Sequence, residues 1–161
     1  YIMTGFRIGW CVANKDLITT MDIFQQNSVT NVPAFVQLAA LAAITGPQDH
    51  VEAITKKLEG KRDRTVAALT KMPGVECPTP DGSFYVFPDI RGTGMTAQQF
   101  ADYMIENYQV GVVAGSAFGD RGEGHIRLTY ACPDDVLEEG LDRIRQGLEQ
   151  TGVVPERKRN A

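Results

Sequence analysis

Arg7 and Arg127 are the residues of this 161-residue sequence whose surroundings admit a chemical task, because each alternates with apolar neighbours at the spacing of a strand. A guanidinium centred in a strand is either a solvated charge or a planar fork aimed into a cleft, where it can grip an anion bidentately. Arg127 lies between Ile126 and Leu128, so in an extended chain it projects opposite that pair, on the side of Thr129. A carboxylate is its candidate ligand; for Arg7 the candidate is phosphate. No constellation for self-sufficient catalysis accompanies them, since HExxH, the GxSxG elbow and the P-loop spacing are all missing. Gly119-Asp-Arg-Gly-Glu-Gly124 does not have a phosphate-binding spacing and reads as a flexible loop ahead of a strand. His125 opens that strand as a surface or edge residue, and His50 falls in the first turn of a helix. Cys11, Cys77 and Cys132 form no CxxC pair, which disfavours a disulfide framework and a zinc site and suits a reducing, cytoplasmic compartment.

The elements that must carry these residues follow from hydrophobic spacing. Phe6, Ile8, Trp10 and Val12 alternate with Arg7, Gly9 and Cys11, which predicts a strand with Arg7 pointing away from the face of Trp10. Lys15 to about Val29 reads as an amphipathic helix through Leu17, Ile18, Met21 and Phe24. Pro33 to Thr45 is apolar nearly all round apart from Gln37, the pattern of a helix buried on most sides. Gly46-Pro47 ends it and opens a third helix reaching about Met72, apolar at its ends and charged in its centre at Lys56, Lys57, Lys61, Arg62, Asp63 and Arg64. A helix with a wet middle suits a connector between two lobes, with Gly60 either a bend or an exposed position without a role.

Beyond Pro73-Gly74 the character changes. Residues 83–87 read as a buried strand ended by Pro88; Val110 to Val113 and Ile126 to Tyr130 read as two more. Thr96 and Gln99 form a capping box ahead of a helix carrying Phe100, Met104 and Ile105. Asp134 and Asp135 favour the start of a last helix, whose stripe is Leu137, Leu141, Ile144 and Leu148. A net charge of -4 and a pI near 5.2 argue against a phosphate-tracking nucleic-acid surface. Arg157, Lys158 and Arg159 read as a solvated tail. No apolar run approaches the roughly 20 residues that a membrane span needs, so neither nucleic acid nor membrane is expected as a partner.

Four ordered motifs resemble the class I/II aminotransferases, and the resemblance covers residues 1 to 150. Tyr1-Ile-Met-Thr-Gly-Phe-Arg-Ile-Gly9 is similar to the segment that follows the cofactor-binding lysine of that family. Gly82-Ser-Phe-Tyr85 resembles its Gly-Ala/Ser-Phe-Tyr strand, and Val112-Val-Ala-Gly-Ser-Ala-Phe-Gly119 its Val-x-Pro-Gly-Ser-x-Phe-Gly loop, with Ala114 where proline is usual. Gly124-His-Ile-Arg-Leu-Thr-Tyr-Ala131 resembles the strand whose arginine holds the substrate α-carboxylate. The resemblance implies an α/β protein of the pyridoxal-phosphate-dependent transferase fold type I. It divides the chain into the end of a large cofactor-binding domain (1–46), an interdomain connector helix (47–72), a small C-terminal α+β domain (73–151) and a tail (152–161).

By the same resemblance, pyridoxal 5'-phosphate is the cofactor, Arg7 binds its phosphate, and Arg127 binds the substrate carboxylate. The Schiff-base lysine is expected upstream of Tyr1, so no catalytic residue is assigned within the chain and the fragment alone is expected to be inactive. The implied activity is transamination between an amino acid, such as aspartate, and a 2-oxo acid, in a homodimer. The alternative that the same motifs admit is the aminotransferase-like effector domain of a transcription regulator.

Overall fold

The computed structural model describes residues 1–152, so all of the expected tail except Gly152 lies outside the described residues. Two compact units divide the chain, Tyr1–Ile54 and the residues from Thr55 onward. The first holds helices α1 (Lys15–Ser28) and α2 (Ala34–Thr45) and the start of α3 (Asp49–Leu69). The Asn14 side chain caps α1 by accepting the Leu17 amide at 2.9 Å. Gln48 staples the α2–α3 turn, donating to the carbonyls of Ala43 (3.0 Å) and Gly46 (2.7 Å) and accepting from the Tyr1 hydroxyl at 3.0 Å. Of α2 only Val36 is buried; Phe35, Leu38, Leu41 and Ile44 are exposed, so its apolar surface is largely uncovered.

Residues 6–12 depart from the expected strand. Thr4–Phe6 form a 3-10 turn, Arg7 follows in the left-handed region at φ 50°, and the segment up to α1 is irregular. Alternation supplies an apolar face, but a strand also needs a hydrogen-bonded neighbour. The first unit has no other strand among its described residues.

The second unit is built on a three-stranded antiparallel sheet in the order β1 (Tyr85–Val86), β3 (Ile126–Thr129), β2 (Val113–Ala114). The register pairs Tyr85 with Thr129 and Val86 with Leu128 on one side of β3, and Val113 with Arg127 and Ala114 with Ile126 on the other. β1 is shorter than expected because Ser83 takes a left-handed backbone, φ 74°, which breaks the extension. Against the sheet pack α4 (Ala97–Tyr108) and α5 (Asp134–Gln150). The Thr96–Gln99 capping box forms as expected, and Phe100 and Met104 are fully buried. All four residues of the α5 stripe are buried too.

The middle of α3 corrects the reading from the sequence. Lys61, Thr65 and Leu69 form a buried stripe at helical spacing, so the wet centre is wet on one side only. The Lys61 ammonium donates to the Cys132 carbonyl and lies 3.5 Å from Asp134, the first residue of α5. α3 continues through Gly60, where an added Cβ would meet nothing within 4 Å.

The glycine-rich stretch is likewise a built turn rather than a loose loop. Asp120–Gly122 is a 3-10 turn pressed onto Gly115; a Cβ on Gly122 would lie 1.9 Å from the Gly115 carbonyl oxygen, and one on Gly115 would lie 2.2 Å from that of Gly122. Only residues without a side chain permit that approach. Two substitutions with opposite signs follow. Gly122→Ala is expected to destabilise the chain by about 3 kcal/mol through overpacking, whereas Gly60→Ala stabilises it by up to about 1 kcal/mol through helix propensity. Urea denaturation of both variants checks this, and midpoints shifting in the same direction would contradict it.

Candidate functional site

β3 is the middle strand, so residues 125, 127 and 129 lie on one face while Ile126 enters the core at 1% exposure. Arg127 rises from that face, half-buried, with its guanidinium carbon 4.4 Å from the centre of the Tyr85 ring and 4.6 Å from that of Phe118. Tyr85 comes from β1 and Phe118 from the 3-10 turn Gly115–Phe118 that follows β2, so the two rings reach the arginine from its two flanks. Among the described residues no carboxylate pairs with Arg127. A guanidinium held by ring faces, with no carboxylate partner among the described residues, keeps N–H donors open to an anion.

Each ring is fixed from behind. The Tyr130 amide and the Thr129 hydroxyl both donate to the Phe84 carbonyl, at 3.1 and 3.2 Å, and the Tyr130 hydroxyl donates to that of Ser83 at 2.8 Å. These bonds lock the entry to β1 against the end of β3 and so set the position of Tyr85. On the other flank the backbones of Gly115 and Gly122 are in close contact, and the Gly115 amide donates to the His125 carbonyl at 2.8 Å. Glu123 accepts from the Ala97 amide at 2.8 Å, which ties this turn to the start of α4. Phe87 stacks on His125 with ring centres 5.3 Å apart and meets Phe118 edge-on at 6.1 Å. His125 is not the surface or edge residue expected: it is half-buried, bridged to Asp89 on one side and bonded to Gly115 on the other, and forms one wall of an aromatic group.

Tyr85 and Phe118 were not singled out from the sequence as functional. The signal for Tyr85 was present: in a strand, Tyr85 and Phe87 share the face opposite Val86. Phe118 lies in a turn, where no period places a side chain, so only coordinates bring it to Arg127.

Arg7 belongs to the first unit. It is exposed, and one of its amino groups donates to the Thr4 carbonyl at 3.0 Å, which leaves most of its N–H donors available to an anion. The other groups with chemical potential are inert or elsewhere. Burial pushes the Cys77 thiol up to about 11, so it is a core residue rather than a nucleophile. A cleft of about 280 Å³ opens between Gln109–Gly111, Leu128, Cys132 and α5, but Arg127 does not line it, and its Arg143 already donates to Tyr108 and Glu139. No cluster of three or more metal-ligating side chains occurs among the described residues, and no described helix is long and apolar enough to cross a membrane.

Comparison with known proteins places the chain in a family. The model for aminotransferase class I and II matches residues 1–144. An aspartate aminotransferase of Pyrococcus horikoshii is 38% identical over 151 residues, which is 92% of this chain and 39% of that protein. An aspartate/prephenate aminotransferase of Cereibacter sphaeroides is 38% identical over 155 residues, covering 90% of this chain and 38% of its own length. The crystal structure of an aromatic aminotransferase from Pyrococcus horikoshii superposes with a TM-score of 0.84 at 36% identity, over 94% of this chain and 41% of that one. The chain thus spans about two fifths of the length of the relatives it matches.

The carboxylate of Asp89 is held by Arg91 on the approach to β3. It accepts the Arg91 amide at 2.9 Å and two contacts from the Arg91 Nε at 3.0 and 2.9 Å, while the Arg91 stem lies where a Cβ on Gly124 would stand. The Arg91 hydrogen bonds hold Asp89 below the usual carboxylate range against an opposing effect of burial. A lowered folded value means stability that is complete above the unfolded value near about 4 and lost as pH falls through the folded one. Asp89→Asn is expected to lower the urea midpoint at neutral pH and to converge on the parent in acid. A midpoint difference that stays constant down to about pH 2 would contradict the coupling.

Proposed function

This chain belongs to the class I and II aminotransferases, and on that premise we propose that it is the C-terminal part of an amino-acid transaminase whose substrate carboxylate is held by Arg127. Its fold is the matching portion of the fold-type I architecture. The observation that carries the proposal is a guanidinium on the middle strand without a carboxylate partner among the described residues, flanked by Tyr85 and Phe118, in the Gly124–Ala131 motif. Relatives named as aspartate aminotransferases support transamination between an amino acid such as aspartate and a 2-oxo acid such as 2-oxoglutarate, rather than effector binding by a regulator.

The family implies pyridoxal 5'-phosphate, which supplies an electron sink for the bonds at the substrate Cα when bound. Arg7 fits its phosphate by the chemistry of its donors, being exposed and free of carboxylate partners among the described residues. Arg127 orients the amino acid so that its Cα–H bond is presented for proton removal. The lysine that moves this proton is proposed to precede Tyr1 in the complete protein. A homodimer in the cytoplasm completes the reading, a compartment in which the three free cysteines stay reduced.

Two measurements test this. In the full-length enzyme, Arg127→Ala is expected to raise the amino-acid KM by at least about thirtyfold, since removing one partner of a buried charged pair costs 2–5 kcal/mol; unchanged kinetics would refute the assignment. Mixing the chain itself with pyridoxal phosphate and then borohydride is expected to label no lysine uniquely. Selective labelling of Lys15 or any other single lysine would place the reactive amine inside this chain instead.

A further inference from the structure

We propose that Tyr85 and Phe118 are positioning residues for the carboxylate site, holding the plane of the Arg127 guanidinium between their rings so that its N–H edge is the part presented to ligand. The inference rests on the reading of Arg127 as the carboxylate receptor.

A free arginine side chain samples many rotamers, and ordering it costs up to about 2 kcal/mol. Ordinarily a neighbouring carboxylate orders it, at the cost of occupying the fork. Here the described residues supply no such carboxylate, and two rings stand in its place at 4.4 and 4.6 Å from the guanidinium carbon. A ring placed over a guanidinium engages its π face, and among the described residues the in-plane N–H donors of Arg127 have no acceptor. Tyr85 and Phe118 make no ring contact with each other, although Phe118 does meet Phe87 at 6.1 Å, which agrees with their lying on different sides of the arginine.

The rings are themselves held. Tyr85 sits on β1 against the Phe84 ring at 4.5 Å, behind the bonds from Tyr130 and Thr129; Phe118 ends the turn pinned by Gly115 and Gly122. Phe118 is 52% exposed, so burial alone does not account for an aromatic residue there. The arrangement also discriminates between the basic residues. A lysine at 127 would direct a compact ammonium at the ring faces and could not offer two parallel donors to a planar carboxylate.

The test uses the full-length protein loaded with pyridoxal phosphate, with 2-oxoglutarate as probe, because it carries no amino group to react with the aldehyde. Its Kd is measured by calorimetry, and KM and kcat for L-aspartate are measured alongside. Phe118→Leu and Tyr85→Leu are each expected to raise Kd and KM roughly fivefold with kcat nearly unchanged, while Phe118→Tyr and Tyr85→Phe keep parental values. Phe118→Met serves as a second variant should the leucine lower stability in thermal melts. In an Arg127→Lys background the leucine substitutions are expected to add little, since no plane remains to be held.

If Arg127→Lys weakens 2-oxoglutarate but both leucine variants stay within about twofold of parent, the positioning role is wrong and the carboxylate assignment survives. If the aromatic replacements weaken binding as much as leucine does, shape packing is responsible and the stacking proposal fails. If Arg127→Lys itself leaves Kd unchanged, the carboxylate assignment fails and takes this inference with it.

Discussion

An arginine on the middle strand of a three-stranded antiparallel sheet cannot shift along the strand without breaking ladders on both sides. That constraint organises the second unit. β3 is only four residues long, yet its register is set by β1 on one flank and β2 on the other, and Ile126 and Tyr130 anchor its two ends in the core at 1% and 2% exposure. A one-residue slip would exchange Arg127 with an apolar neighbour. The depth of Ile126 makes that exchange prohibitive, because it would bury a charge and expose an isoleucine. Position in the sheet thus fixes the arginine's backbone, and only the side chain beyond Cβ remains to be ordered locally.

Most of this second unit was legible in the sequence, for identifiable reasons. The α5 stripe and the Thr96–Gln99 box are local signals, decided within one or two helical turns, and both are realised. The face of Arg127 followed from alternation with Ile126 and Leu128. What period and propensity did not reveal was carried by contacts distant in the chain. Lys61 looked like one charge among several until Cys132 and Asp134, 71 and 73 positions further on, came against it. The run from Gly119 to Gly124 looked loose because glycine frees the backbone; in the fold the same absence of a side chain lets two backbones touch.

The first unit shows the opposite failure. Its helices appear where spacing puts them, but the period-2 pattern around Trp10 forms no strand, and the most apolar helix, α2, buries one residue. Both follow from one cause. Hydrophobic patterns state what a segment requires of its surroundings, and the described residues of this unit supply neither a strand to pair with residues 6–12 nor a surface to cover Phe35 and Leu38. The chain spans about two fifths of the length of its relatives. Local capping, such as Asn14 on α1, needs no such partner and is intact.

Lys61 shows how a buried charge serves geometry at little gain in stability. Taking an ammonium out of water costs several kcal/mol, and a single carboxylate 3.5 Å away with a half-exposed side chain repays only part of it. A methionine would fill the same volume at less expense in desolvation. The ammonium does what a methionine cannot: it takes the Cys132 carbonyl, in the short link between β3 and α5, and leans on the first residue of α5, while Arg64 one turn along α3 holds the same Asp134. The exit of β3 is thereby tied to α3 by directional bonds, whereas apolar packing would leave α3 free to slide along α5. The tie fixes the chain just beyond β3, which ends at Thr129.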